Sequence, residues 1–159
     1  MAEDLHIAAS VDKTEQYQSL IPQIEGLVTG EPDLIANLAN ICAALKEQFN
    51  WFWVGFYLVK DNELVLGPFQ GQPACVRIPW GNGVCGAAAS RGESVLVPDV
   101  HDFPGHIACD PVSQSELVVP LIEDGSVTGV LDLDSPRLAR FDDADRAGCE
   151  HLVRVFLGG

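Results

Sequence analysis

The spacing of the apolar residues changes at residue 51, and this change limits the fold more than any other feature. Before it, residues 12–28 and 34–49 carry apolar side chains three and four positions apart, which predicts two amphipathic helices. Asp33 is expected to cap the second helix and Asn50 to end it. After it, residues 51–60 are rich in aromatic and β-branched side chains, which is typical of a strand.

Turn signals divide the rest of the chain into further elements. Strands are expected at residues 51–60, 63–69, 76–78, 94–97, 117–122 and 127–133. Asp61-Asn62 and residues 123–126 are the turns of two hairpins, and a small-residue helix is expected over 84–90. Residues 98–115 form a long loop, and Asp142 begins a final helix. This order predicts an α+β domain whose antiparallel sheet carries helices on one face.

Charge and cysteine content exclude several classes of function. The net charge is −14, and nucleic-acid affinity comes mainly from Lys and Arg, so we expect neither nucleic acid nor an anionic membrane as a partner. A small cationic or zwitterionic ligand is favoured instead. No apolar run reaches the roughly 18 residues of a membrane span, and residues 1–10 lack the basic start of a secretory signal. Five cysteines are an odd number, which indicates a reducing, cytoplasmic setting.

Three of the five cysteines lie in glycine-bearing segments, where a backbone can approach a ligand. They are Cys75, Cys85 and Cys109, and because thiolates are nucleophiles they predict redox chemistry. An inert loop residue is an equally good interpretation of Cys109 from the residues alone. His106-x-x-Cys109 lacks the paired spacing of a structural zinc site, so we expect no metal and no bound cofactor.

Acidic residues cluster near the second hairpin. Asp132 and Asp134 are two apart in a predicted strand, so both side chains point to one face, and Glu116 can converge on it. Buried carboxyls that crowd one another raise the pKa of at least one of them, which leaves a proton available near neutral pH. That proton could be donated to a reacting oxygen, while a remaining charge binds an ammonium group. A solvated acidic strand end is the alternative.

Six segments around these cysteines and acids form a specific set. They are Gly67-Pro-Phe-Gln-Gly71, Ala74-Cys-Val-Arg-Ile-Pro79, Gly81-x-Gly-Val-Cys-Gly86, His106-Ile-Ala-Cys-Asp110, Ser115-Glu116 and Gly129-Val-Leu-Asp-Leu-Asp-Ser135. With them, the chain from about Tyr17 to Val155 resembles the free methionine-(R)-sulfoxide reductases, which are enzymes built on a GAF domain. The resemblance implies one GAF domain over residues 1–159, with a short flexible segment at about 1–11. It also implies a six-stranded antiparallel sheet with helices packed on one face and the ligand pocket on the other.

The resemblance also assigns roles to the cysteines. It implies that the Cys109 thiolate attacks the sulfur of free L-methionine (R)-sulfoxide, which gives a sulfenic acid and methionine. Cys75 would then form a disulfide with Cys109, and thioredoxin, as the external dithiol, would reopen it. Two interpretations of Cys85 stay open. It is either a resolving or reactive thiol, whose pKa a helix N-terminus would lower, or a small packed residue. A homodimer is compatible with the family.

The resemblance makes Trp53 and Tyr57 pocket walls, with Glu116, Asp132 and Asp134 as further substrate-binding residues. From the pattern alone, aromatic residues in a strand are more often core.

Three smaller expectations concern other parts of the site. Trp51 shares the parity of Trp53, so it should face the same side. The loop 81–83 could offer backbone N–H groups to a carboxylate. His106 is expected to shape its loop and to influence Cys109.

Two other functions remain as alternatives. A GAF module that senses a small molecule without turnover would not need Cys109 and a partner thiol. A thiol-based peroxide sensor would use the cysteines but would not need the acid cluster.

Overall fold

The computed structural model describes residues 4–107, 109 and 111–157, and these residues form an α+β fold. Its helices are α1 (Lys13–Val28), α2 (Leu34–Phe49), α3 (Gly83–Arg91) and α4 (Asp143–Phe156), with a 3-10 turn at Val100–Asp102. Its strands are β1 (Trp53–Lys60), β2 (Glu63–Gln70), β3 (Arg77–Pro79), β4 (Val95–Val97), β5 (Ser115–Glu123) and β6 (Ser126–Ser135).

Aspartates begin three of these helices. The side chains of Asp12 and Asp33 accept hydrogen bonds from backbone N–H groups in the first turns of α1 and α2. Asp142 and Asp145 form a capping box at the start of α4. Asn50 ends α2 in the left-handed conformation. The helix boundaries predicted at Asp33, Asn50 and Asp142 are therefore confirmed.

The six strands form one antiparallel sheet in the order β3-β2-β1-β6-β5-β4. Both predicted hairpins are confirmed, and Asp61 and Asn62 have the positive φ values of a tight turn. Several strand limits differ from the prediction by one or two residues, and two of them affect the site. β1 begins at Trp53 rather than at residue 51, and β5 begins at Ser115, so Glu116 lies inside the sheet.

The sheet separates two apolar cores. Helices α1, α2 and α4 cover one face, as predicted, whereas α3 packs against β5 and β6 on the opposite, pocket-bearing face. Trp51 precedes β1 and stacks on Phe49 in the helix-covered core, with ring centroids 4.6 Å apart. The expectation that Trp51 and Trp53 face one side is therefore wrong, because strand alternation does not extend to a residue before the strand.

The start of the described chain packs on the helices. Backbone groups of His6 and Ala8 exchange hydrogen bonds with the side chains of Gln23 and Gln48. The flexibility of residues 1–11 stays a prediction. Within the described residues, no helix combines the length and apolar character that a membrane crossing needs.

Candidate active site

Three neighbouring strands carry the predicted site residues to one face of the sheet. Trp53 on β1 pairs with Asp134 on β6, and Asp134 pairs in turn with Glu116 on β5. Asp132 lies two residues before Asp134, so it faces the same side. The space at this pocket, counted together with the open solvent at its mouth, is about 550 Å³. It is lined by Trp53, Tyr57, Pro73, Ala74, Ile78, Gly83, Val84, Cys85, His106, Ile107, Cys109, Ser113, Glu116, Asp132 and Asp134.

Two glycines make room for the Trp53 indole ring. A Cβ at Gly55 would lie 2.5 Å from the ring atom Cη2, and one at Gly71 would lie 2.4 Å from Cδ1. The indole Nε1–H donates to the Gln72 carbonyl oxygen at 2.9 Å, and the ring stacks on Phe69. The ring is therefore held in one orientation as a wall of the pocket.

Tyr57 connects the sheet to the segment that carries Cys75. Its hydroxyl donates to the Cys75 carbonyl oxygen at 2.8 Å. Burial, and then the charge of Asp132, raise the pKa of Tyr57 well above its ordinary value. Tyr57 therefore stays protonated and positions the cysteine backbone.

The acidic residues are buried and close together. Glu116 and Asp132 are 6% and 5% exposed, and Asp132 Oδ1 accepts no hydrogen bond from the residues that the structure describes. Burial, followed by the charges of Asp132 and Asp134, raises the pKa of Glu116 well above its ordinary value. Burial also raises the pKa of Asp132, and this effect exceeds the lowering by side-chain hydrogen bonds with Glu116, Asp134 and Cys85. The shared face is thus confirmed, whereas the binding role of these acids stays a prediction.

Cys75 and Cys109 form a disulfide, with their Cα atoms 5.3 Å apart. The pairing that the resemblance implied is therefore present in the structure. Cys109 also lines the pocket, close in space to the acid cluster on the same cavity. Which of the two cysteines attacks a substrate stays a prediction. Cys42 and Cys149 are buried in the helix-covered core, as expected from their helices.

The pKa of Cys85 differs from one of the two expectations for this residue. The start of α3 was expected to lower its pKa, but burial and the charges of Asp132 and Glu116 raise the pKa well above its ordinary value. Its Sγ atom lies 3.9 Å from Glu116 Oε2. Burial and the negative neighbours together outweigh the helix terminus, and Cys85 is a protonated thiol at the floor of the pocket.

Only part of the glycine loop before α3 stays available for the predicted contact with a carboxylate. Gly81 N–H donates to the Gly86 carbonyl oxygen and Asn82 N–H to the Pro79 carbonyl oxygen, both at 3.1 Å. These two groups close the loop and are not offered to a ligand. Gly83 and Val84 line the pocket instead, so the first turn of α3 is the part of this segment that faces it.

Two polar residues of the pocket have no assigned binding role in the sequence. His106 Nε2 lies 3.8 Å from Glu116 Oε1, and burial, followed by the charge of His101, lowers the pKa of His106. Ser113 is buried, and its Oγ has no hydrogen-bond partner among the described residues. Both lie in the long loop 98–115, where no periodicity indicates which side chains turn inward. For His106, the one signal in the sequence that it lies at the site is its position three residues before Cys109.

One set of side chains has the composition of a metal site. The ligand atoms of Cys85, Glu116 and Asp132 lie within 4.8 Å of one another, and all three residues are buried. This set differs from the His106 and Cys109 spacing considered in the sequence.

Comparisons with known proteins agree with this geometry. The family model described as "GAF domain" matches residues 33–154. The chain is 61% identical to "GAF domain-containing protein A" of Dictyostelium discoideum, over 98% of each chain. It is 49% identical to the free methionine-R-sulfoxide reductase of Escherichia coli strain K12, over 90% of this chain and 87% of that one.

A solved structure extends the likeness to three dimensions. The X-ray structure of free methionine-R-sulfoxide reductase from Neisseria meningitidis, in complex with its substrate, matches with a TM-score of 0.94 and 53% identity. The match covers 97% of this chain and 93% of that one. This chain belongs to the free methionine-R-sulfoxide reductase family of GAF-domain proteins.

Proposed function

We propose that this protein reduces free L-methionine (R)-sulfoxide to L-methionine. The observation that carries the proposal is a Cys75–Cys109 disulfide on the same pocket as a buried cluster of carboxyl groups. A redox-active pair can accept the oxidising equivalents of a sulfoxide, and a carboxyl with a raised pKa can protonate its oxygen. Family membership supports the same reaction.

The pocket offers a complementary group for each part of the substrate. The acids Asp132 and Asp134 bind the ammonium group, and the Trp53 ring packs against the S-methyl group. The first turn of α3 is available for the carboxylate, and so is the Ser113 hydroxyl, which has no hydrogen-bond partner among the described residues. A peptide-bound methionine sulfoxide lacks both charges and would leave buried carboxyls unpaired, so the enzyme should act on the free amino acid.

The reaction balances in three steps. The Cys109 thiolate attacks the sulfoxide sulfur while Glu116 protonates the oxygen, and the oxygen passes to Cys109 as a sulfenic acid with release of methionine. The Cys75 thiol then attacks this sulfur, which forms the disulfide and releases water. An external dithiol reduces the disulfide by exchange, and we propose thioredoxin of a reducing cytoplasm as this reductant.

Turnover of the separate R and S epimers with thioredoxin tests the proposal. Wild type should consume the R epimer, Cys109→Ser should lose activity, and Cys42→Ala, on the opposite face of the sheet, should keep it. Full activity of Cys109→Ser would overturn the nucleophile. If wild type binds methionine sulfoxide without converting it, the protein is a sensor instead.

A further inference from the structure

The floor of the pocket combines a thiol with two carboxyl groups, and this set of ligands suits a thiophilic metal cation. We propose that Cys85, Glu116 and Asp132 form a binding site for a thiophilic divalent cation of the Zn²⁺ type. Because the site overlaps the place proposed for the substrate ammonium group, the cation would inhibit the reductase.

The distance between Cys85 and Glu116 is already close to that of a tetrahedral site. The three ligand atoms lie within 4.8 Å of one another, and Cys85 Sγ is 3.9 Å from Glu116 Oε2. In a tetrahedral zinc site, with Zn–S of about 2.3 Å and Zn–O of about 2.0 Å, sulfur and oxygen ligands are roughly 3.5 Å apart. The Cys85–Glu116 distance has to contract by about 0.4 Å, and a pair at the 4.8 Å limit has to contract by roughly 1 Å or more, so these side chains move inward on binding.

An unpartnered buried atom points to a ligand independently of the cluster. Asp132 is 5% exposed, and its Oδ1 accepts no hydrogen bond from the described part of the chain. A buried carboxylate oxygen without a donor is unfavourable, and a bound cation would satisfy it. None of the described residues that line the pocket is a Lys or Arg.

A candidate fourth ligand lies beside the cluster. His106 Nε2 lies 3.8 Å from Glu116 Oε1 on the same pocket but outside the three-residue set, so the imidazole has to move inward to complete a set of one sulfur, two oxygens and one nitrogen. Thiolate and imidazole favour zinc over magnesium or calcium, which prefer oxygen ligands alone. On binding, the Cys85 proton passes to solvent, because the thiolate is the form that coordinates metal.

Cobalt(II) spectroscopy on the oxidised protein tests the site directly. In this form Cys75 and Cys109 are joined, and Cys42 and Cys149 lie in the core across the sheet, so Cys85 is the one thiol on the pocket. We expect one Co²⁺ per chain, with a thiolate-to-cobalt charge-transfer absorption in the near ultraviolet that Zn²⁺ abolishes by displacement. Cys85→Ser should lose the absorption, and the matched control Cys42→Ser should keep it.

Several results would overturn the site. Co²⁺ binding without the thiolate absorption means an adventitious ion only, and an absorption that persists in Cys85→Ser assigns it to another thiol. If Cys85→Ser does not fold, Asp132→Asn decides, since it keeps the thiol and should weaken Co²⁺ binding at least tenfold. Unchanged affinity in Asp132→Asn contradicts the proposal.

The inhibition rests on the proposed function and can fail separately. Methionine sulfoxide should displace Co²⁺ and reduce the absorption, since both occupy the acid cluster. Absorption that depends on Cys85 but does not respond to methionine sulfoxide supports the cation site and contradicts the substrate placement. If Zn²⁺ inhibits turnover by wild type but does not change whatever turnover Cys85→Ser retains, the result supports both the cation site and the substrate placement.

Discussion

The pH dependence of stability should change in Glu116→Gln, because this carboxyl is buried beside another. The oxygens of Glu116 and Asp132 lie within 4.8 Å. Two negative charges at that distance repel each other by roughly 3.5 kcal/mol at an effective dielectric constant of about 20. Burial opposes ionisation further, so the pKa of Glu116 is raised above its ordinary 4.5. The folded protein therefore keeps the Glu116 proton at pH values where the unfolded chain has released it.

The sign of the effect follows from proton counting. Above pH 4.5 the native state binds more protons at this residue than the unfolded state, so the free energy of unfolding falls as the pH rises. One carboxyl that is protonated in the native state and ionised in the unfolded state contributes a slope of about −1.4 kcal/mol per pH unit. Glu116→Gln removes this contribution, so the variant should gain stability relative to wild type as the pH rises above 4.5 towards the raised pKa of Glu116 in the folded protein.

Urea unfolding at half-unit pH steps measures this difference. Glu47→Gln, which removes an exposed carboxylate from α2, is the matched control for the change in net charge. Its curve should run parallel to that of wild type. If Glu116→Gln also runs parallel to wild type, the raised pKa of Glu116 and its role as proton donor are both refuted. If Glu116 is the donor, the variant should lose turnover at every pH.

Three further substitutions test the packing of the site and of the helices. Gly55→Ala should displace the Trp53 ring, lower the free energy of unfolding by about 1–3 kcal/mol and raise KM for methionine sulfoxide; an unchanged KM would show that the ring is not a pocket wall. Gly148→Ala places a Cβ 2.4 Å from the Tyr17 ring and should destabilise by a similar amount in urea without changing KM. Asp142→Ala removes the acceptor for two backbone N–H groups of α4 and should lower stability by about 1 kcal/mol in thermal unfolding; an unchanged melting temperature would contradict the capping role.

Local patterns were sufficient for most of the secondary structure. Helix caps and apolar spacing depend on neighbours within one turn, so α1, α2 and α4 could be predicted closely. The limits of β1 and β5 could not, because a strand ends where its partner ends, and that partner is distant in sequence. This is why Trp51 was assigned to the wrong face and Glu116 was placed outside the strand.

The cysteines illustrate the same limit at the site. The segments around Cys75 and Cys109 identified the family, and with it their pairing, before any geometry was known. The environment of Cys85 could not be predicted, because its pKa depends on Glu116 and Asp132, which strands more than 30 residues later bring against α3.

The sequence by itself determined the α+β order, the family and the common face of Asp132 and Asp134, since these depend on residue spacing and specific motifs. The tertiary structure decided which strands are neighbours, and thereby the row of Trp53, Asp134 and Glu116 across β1, β6 and β5. It also decided the burial of Trp53 and Glu116. Burial and charge crowding act through space rather than along the chain, so the proton on Glu116 and the thiol of Cys85 are properties of the folded protein.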